Sequence, residues 1–380
     1  MKLEFPRTAL LQTLKFIHSV IHREPSMPVL KMIKVTIGPT GAHFAATDLE
    51  LGLQRTLPLP SLTSATFLIP SEPIHDFIRE LPSETVTWTI DDQHHITVTG
   101  GKAKGKFNGM GADDYPALPP IPEPFIFSLP ASDLAQLLGE TLPAVGDNDA
   151  RFILNALKLT IFQAPAATLR TVGTDGHRLV VSEQPTGTWL TPAHDTRDLL
   201  IPKKAGKIIR QLLNDKDLPP IAIGLNHTLA GFKIGDYLVT TRIIDGSYPN
   251  YQAVIPKATS PRLTINKALF EDSLRRVSVI GPQGTKPIRL TVGAQSLTLH
   301  AADSHTGEAT ETLDTTTGSD PFTTGFNSRY LLEALETMPG DQCQIFMESP
   351  LAPCLLTAPG LSRPFKHIVM PISTQEVSTS

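Results

Sequence analysis

Asp175 and His177 stand two residues apart in the segment Thr174-Asp175-Gly176-His177-Arg178. On an extended strand that spacing puts a carboxylate and an imidazole on one face, half of a metal site or of an acid–base pair. A metal-dependent nuclease built on this pair is the one catalytic reading the residues offer. Against it, no other His or Cys cluster has ligand spacing, and a matching segment upstream carries Asp48 and Glu50 instead. His94-His95 lies in a polar turn, and Cys343 and Cys354 read as buried bystanders in a strand-rich region. A glycine-rich phosphate loop, a nucleophile elbow and a paired-carboxylate motif are all missing from the chain. No catalytic residue, metal or cofactor is therefore expected, which favours a binding role.

The polar chemistry that does recur is basic. Lys203, Lys207 and Arg210 form a stripe at i, i+4 and i+7 of a helical pattern, and no acid falls between Lys203 and Arg210. Lys15 and Arg23 lie in an acid-free run from Arg7 to Arg23, while Lys267, Glu271 and Arg275 form a mixed stripe. The chain as a whole has 33 basic against 37 acidic residues. Positive charge segregated on a net-negative protein suits weak, sequence-independent contact with phosphates.

Three copies of one pattern must position these residues. Asp48, Asp175 and Asp303 recur at intervals of 127 and 128, about a third of the 380 residues. Leu68-Ile69-Pro70 matches Leu200-Ile201-Pro202, and Tyr115-Pro116 matches Tyr248-Pro249. Each copy opens with an amphipathic helix, marked by Leu10, Leu14, Ile17 and Ile21, by Leu134, Leu137 and Leu138, and by Leu269, Phe270, Leu274 and Val277. Ser132 or Asp133 can cap the second of these, and Asn327 a later helix. Alternating stretches such as Thr85–Ile90 and His95–Thr99 read as half-buried strands. Two helices and more strands per copy predict an α+β fold with helices on one face of antiparallel sheet. The copies divide the chain at 1–122, 123–254 and 255–380. Two cysteines, no signal peptide and no long apolar run point to a cytoplasmic protein that spans no membrane.

Thr171-Val172-Gly173-Thr174-Asp175-Gly176-His177-Arg178-Leu179 resembles the second-domain signature of the bacterial β sliding clamps, the processivity subunits of DNA polymerase III. Pro28-Val29-Leu30, Thr47-Asp48-Leu49-Glu50, Arg151-Phe152-Ile153-Leu154-Asn155, Ile244 to Tyr251, Gly325-Phe326-Asn327 and Val369-Met370-Pro371-Ile372 match in order. The resemblance implies three clamp domains, sheets outside and two helices per domain lining a lumen, in a head-to-tail homodimer that encircles duplex DNA. It implies a non-catalytic subunit of a DNA-directed DNA polymerase, a nucleotidyltransferase. Partners would be the replicative polymerase catalytic subunit, the clamp loader and repair proteins, held through short linear peptides. A paralogue serving repair or a mobile element is the alternative within the same family.

Carried over by resemblance, Phe107, Val279 and Ile280 fall at the dimer interface, and Lys15, Arg23, Arg79, Arg151, Lys203, Lys207 and Arg210 face DNA. The peptide pocket would comprise Leu154, Thr174, Gly176, His177, Arg178, Leu179, Pro249, Val254, Asn327, Tyr330, Pro353, Ile368, Met370 and Pro371. The chain departs from the family at Phe152 and Ile153, where tyrosines are common, and at Ala253 and Ser373, where a basic residue is. The segment 374–380 extends past the pattern and would partly cover the pocket.

Overall fold

The computed structural model describes residues 1–59, 64–162, 167–191, 195–215, 217–280, 286–316 and 321–373. The tail at 374–380, expected near the pocket, lies outside them. Six α-helices are described: α1 Arg7–His18, α2 Ser71–Glu80, α3 Ala131–Thr141, α4 Lys203–Leu212, α5 Lys267–Val277 and α6 Ser328–Thr337. All sheet pairing among the described residues is antiparallel, as expected for the α+β fold.

The three copies share one local device. The aspartate of each copy folds a tight turn by accepting two backbone N–H groups on its Oδ1. Asp48 accepts from Glu50 and Leu51 at 3.0 and 2.7 Å, Asp175 from His177 and Arg178 at 2.9 and 3.0 Å, and Asp303 from His305 and Thr306, both at 2.9 Å. Asp175 and His177 therefore sit in a turn between strands, not on the strand face that the metal reading required. The residue directly after the aspartate takes a left-handed backbone, Gly176 at φ +87° in the second copy and Leu49 at φ +82° in the first.

Helix burial follows the periodicity in α1, where Leu10, Leu14 and Ile17 are fully buried. In α5 Phe270, Leu274 and Val277 are buried, but Leu269 is exposed, a correction to the expected apolar face. Asn327 caps α6 by accepting from Arg329 N–H at 3.0 Å. Ser132 and Asp133 do not precede α3 as expected; they lie inside its first turn, because the helix starts directly after Pro130.

The chain packs as two compact units, 1–135 with 187–194 and 204–245, and 136–186 with 195–203 and 246–380. Both cut through the second copy because strands of neighbouring copies join edge to edge. In the first unit Leu51–Leu57 pairs with Tyr237–Arg242 inside a nine-stranded sheet. In the second, Arg178–Gln184 pairs with Phe365–Val369 inside an eight-stranded sheet. Each unit also holds a four-stranded sheet with an end strand, Ala103–Asn108 in the first and Gly307–Asp314 in the second. Phe5, Phe44 and Trp88 pack edge to face under the first unit's sheets, and one large apolar core fills the second around Phe270 and Phe326.

Candidate functional site

A cleft of about 340 Å³ lies in the second unit where the strand Arg178–Gln184 meets Phe365–Val369. Two of its lining residues, Leu179 and Ile368, belong to a small apolar cluster with Val172, Val181 and Leu355, against which Tyr248, Tyr251 and Ile255 pack. Leu154, Thr174, Gly176, Arg178, Leu179, Pro249, Val254, Ile368 and Met370 line it, all of them expected pocket residues. Val254 remains 39% exposed, so its side chain is open to an incoming apolar group.

The turn after Thr174 is held rigidly. Thr174 Oγ1 donates to Arg178 O at 2.6 Å and accepts from Gly176 N–H. The Arg178 guanidinium, only 8% exposed, donates to Asp175 Oδ2 at 3.0 Å and to Pro143 O at 2.6 Å, and it also pairs with Glu333 of α6. It lies 4.5 Å from the Tyr330 ring centroid, and His177 stacks on the same ring. Met370 N–H donates to His177 O at 2.8 Å, which sets the methionine beside the turn. Burial pushes the Tyr248 phenol above its ordinary range; its hydroxyl donates to Val172 O and fixes the wall that carries Pro249. An apolar slot with a rigid polar rim is what a linear peptide with spaced apolar anchors requires.

Five expected residues do not line the cleft. His177 and Tyr330 stack beside it, Asn327 is spent on its helix cap, and Pro353 and Pro371 are half-buried nearby in sequence to lining strands. Ile153, Asn250 and Tyr251 line it and were not expected. Both short runs they belong to, Arg151–Asn155 and Ile244–Tyr251, were visible as family-like segments.

Family models for the N-terminal, central and C-terminal domains of the DNA polymerase III beta subunit match residues 1–119, 128–250 and 252–373. The chain belongs to the DNA polymerase III beta subunit family. The beta sliding clamps of Caulobacter vibrioides and Escherichia coli are each 26% identical to it, over 98% of this chain and 100% of theirs. A Bartonella birtlesii sliding clamp solved bound to griselimycin is 26% identical, with a TM-score of 0.91 over 98% of this chain and 99% of that one.

Three of the DNA-facing expectations for this family change with the structure. Arg151 lines the cleft: its guanidinium donates to Asp149 and to Asp175 O and covers Gly176, where an added Cβ would lie 3.0 Å from it. That pairing holds the Asp149 carboxyl down at about 2. Lys203 is 14% exposed and donates to Val145 O at 2.6 Å with Asp147 at 3.3 Å, so its charge anchors the start of α4. Arg79 is exposed and paired with Asp76 and Glu80, so two carboxylates compete with any phosphate for it. Lys15, Arg23, Lys207 and Arg210 keep exposed side chains.

Phe107 lies half-buried on the inner row of the end strand Ala103–Asn108, its ring 5.4 Å from Phe77. Val279 is 74% exposed just past α5, and Ile280 O accepts from Thr306 Oγ1 at 2.7 Å. These groups lie next to the two end strands, one in each unit.

Proposed function

We infer that this chain is a DNA sliding clamp: two copies close head to tail around duplex DNA and tether the replicative polymerase and other partners to it. What supports closure is the pair of end strands. The outer row of Ala103–Asn108 carries Lys104 and Lys106, with Lys102 just before it, and that of Gly307–Asp314 carries Glu308 and Asp314. Each strand has an edge with no neighbouring strand among the described residues, so pairing one with the other hides both edges and matches charge. The inner rows would bring Phe107 and Phe77 against Ala309, Leu313, Val279 and Ile280. Because the two strands differ, the contact is heterologous, and a heterologous contact that closes makes a ring.

The role is non-catalytic and belongs in the cytoplasm with the replication machinery. A ring needs no strong grip, since topology retains it, and exposed Lys15, Arg23, Lys207 and Arg210 supply a weak, screened attraction to phosphates. The cleft at Leu179, Val254 and Met370 takes short linear peptides of the polymerase catalytic subunit, clamp loader and repair proteins, the apolar anchors entering between those side chains. The repeat units are 1–122, 123–254 and 255–380. Sedimentation tests assembly: the reading requires a species of twice the 41.2 kDa chain, converted toward monomer by Val279→Ala with Ile280→Ala. Calorimetry with a peptide carrying spaced Leu and Phe tests the cleft. Met370→Ala should weaken it by about 1–3 kcal/mol, and equal affinity would remove the assignment.

A further inference from the structure

The two units carry the same seam, and they fill it differently. Matching Asp48 to Asp175 aligns Arg55 with Ser182, and each stands opposite an aromatic residue across the seam, Tyr237 for Arg55 and Phe365 for Ser182. Matching Leu10 to Leu134 aligns Gln12 with Gln136 and Phe16 with Glu140. In the second unit the seam is closed by charge. Glu140, 6% exposed, accepts from Ser182 Oγ at 2.5 Å, from Gln136 at 3.1 Å and from the Arg363 guanidinium, itself 9% exposed.

In the first unit the guanidinium is present and the carboxylate is missing. Arg55 is 11% exposed; its Nη1 donates to Tyr237 Oη at 2.7 Å and Thr13 Oγ1 at 3.0 Å, and the group lies over the Tyr237 ring at 4.6 Å. Its buried Nε has no partner among the described residues. The nearest acid, Asp236, is 71% exposed and 3.7 Å away. The helix position that holds Glu140 in the second unit holds Phe16 here, and a cleft of about 670 Å³ opens beside it. Gln12, Gln211 and Asn214 stand on its walls with Phe16 and Tyr237, and its charged lining besides Arg55 is Lys233 with Asp215 and Asp236. A buried guanidinium with an idle N–H is costly unless an anion completes it.

We propose that this cleft binds an acidic side chain of a short peptide, whose carboxylate takes the place that Glu140 fills in the second unit. The carboxylate meets the Arg55 guanidinium on its Nη2 edge, where it competes with the loosely held Asp236, and the buried Nε–H reports that pairing. The amides of Gln12, Gln211 and Asn214 meet the peptide backbone, and the aromatic pair Phe16–Tyr237, 5.5 Å apart, receives a neighbouring apolar side chain. This site is separate in sequence and chemistry from the apolar cleft at Met370, so either can fail without the other.

The test follows the Arg55 Nε–H resonance of the full chain by NMR during titration with a blocked Leu-Glu-Phe tripeptide. Leu-Gln-Phe, glutarate and inorganic phosphate serve as the other arms. The glutamate peptide should shift that resonance and bind about tenfold or more tighter than its glutamine counterpart. Phe16→Glu supplies the missing carboxylate from within; it should move the Arg55 resonance without peptide and abolish binding. Affinity is read from the Arg55 resonance alone, so entry of the same Leu and Phe side chains into the Met370 cleft does not register as binding here. An unmoved Arg55 resonance, equal affinity for both peptides, or full binding by Phe16→Glu would overturn the proposal. Binding of glutarate or phosphate as tight as the peptide would overturn the peptide class.

Discussion

Arg178→Met offers a sharp test of how the cleft is held. The guanidinium is nearly buried and joins Asp175, Glu333, Pro143 O and the Tyr330 ring. Breaking a buried pair by removing one partner costs about 3–5 kcal/mol, chiefly through the carboxylate left behind. Here both carboxylates retain other partners: Asp175 keeps the two turn amides, and Glu333 keeps Arg329 at 2.8 Å. The expected loss is therefore about 3 kcal/mol, the lower end of that range. Arg178→Lys keeps a charge but not the fork, and about half the loss is expected. Because the chain has several packed parts, a global melt would mix transitions. Hydrogen exchange at the His177, Arg178 and Met370 amides reads the local opening directly. Peptide affinity should fall in parallel, since Met370 and the turn are held together. Glu333→Gln alone should cost less, and the double variant should cost clearly less than the sum. A local loss below about 1 kcal/mol, or strict additivity of the pair, would refute the reasoning.

Other outcomes follow from single features. Lys104→Glu with Lys106→Glu should weaken dimerisation by about 0.2–1 kcal/mol per lost pair, more at low salt, and Glu308→Lys with Asp314→Lys on the same chain should restore it; sedimentation at two ionic strengths checks this. Lys207→Ala with Arg210→Ala should lower the log–log salt slope of DNA affinity by about 0.9 per lost contact, whereas Lys203→Ala should change stability and leave the slope alone. Burial pushes the His367 imidazole down to about 3, and neither ring nitrogen has a partner among the described residues. The unfolded chain takes up that proton first. Stability is thus complete above about pH 6.5 and falls at about 1.4 kcal/mol per pH unit below it, by about 2 kcal/mol at pH 5. His367→Leu should remove that slope, as read by hydrogen exchange across strand Phe365–Val369.

Much of this was legible before the structure. The turn aspartates 48, 175 and 303 betrayed the repeat because one backbone device demands the same side chain each time. Periodicity placed Leu10, Leu14 and Ile17 correctly because a helix on a sheet buries one stripe. Leu269 broke that rule, since a single position at a stripe's margin is decided by its neighbours. The cleft's strand residues were readable from contiguous motifs, but Ile153 and Tyr251 needed the fold of their loops to be placed. Lys203 and Arg151 misled for a common reason. Charge is written in the sequence, while the carbonyls and carboxylates that consume it come from elsewhere in the chain. Arg55 was silent altogether, because its meaning depends on an aromatic residue standing where the second unit has an acid.

The central claim is topological, and retention on closed DNA tests it most directly. The protein is loaded on a nicked circular duplex with its loader and freed of unbound chain by gel filtration. The circle is then cut once and the DNA filtered again. The account predicts that the dimer stays with the circle at salt that abolishes ordinary binding and leaves as soon as the circle is linearised. Equal retention on circle and line, or loss from both at that salt, would contradict a ring that holds DNA by enclosing it.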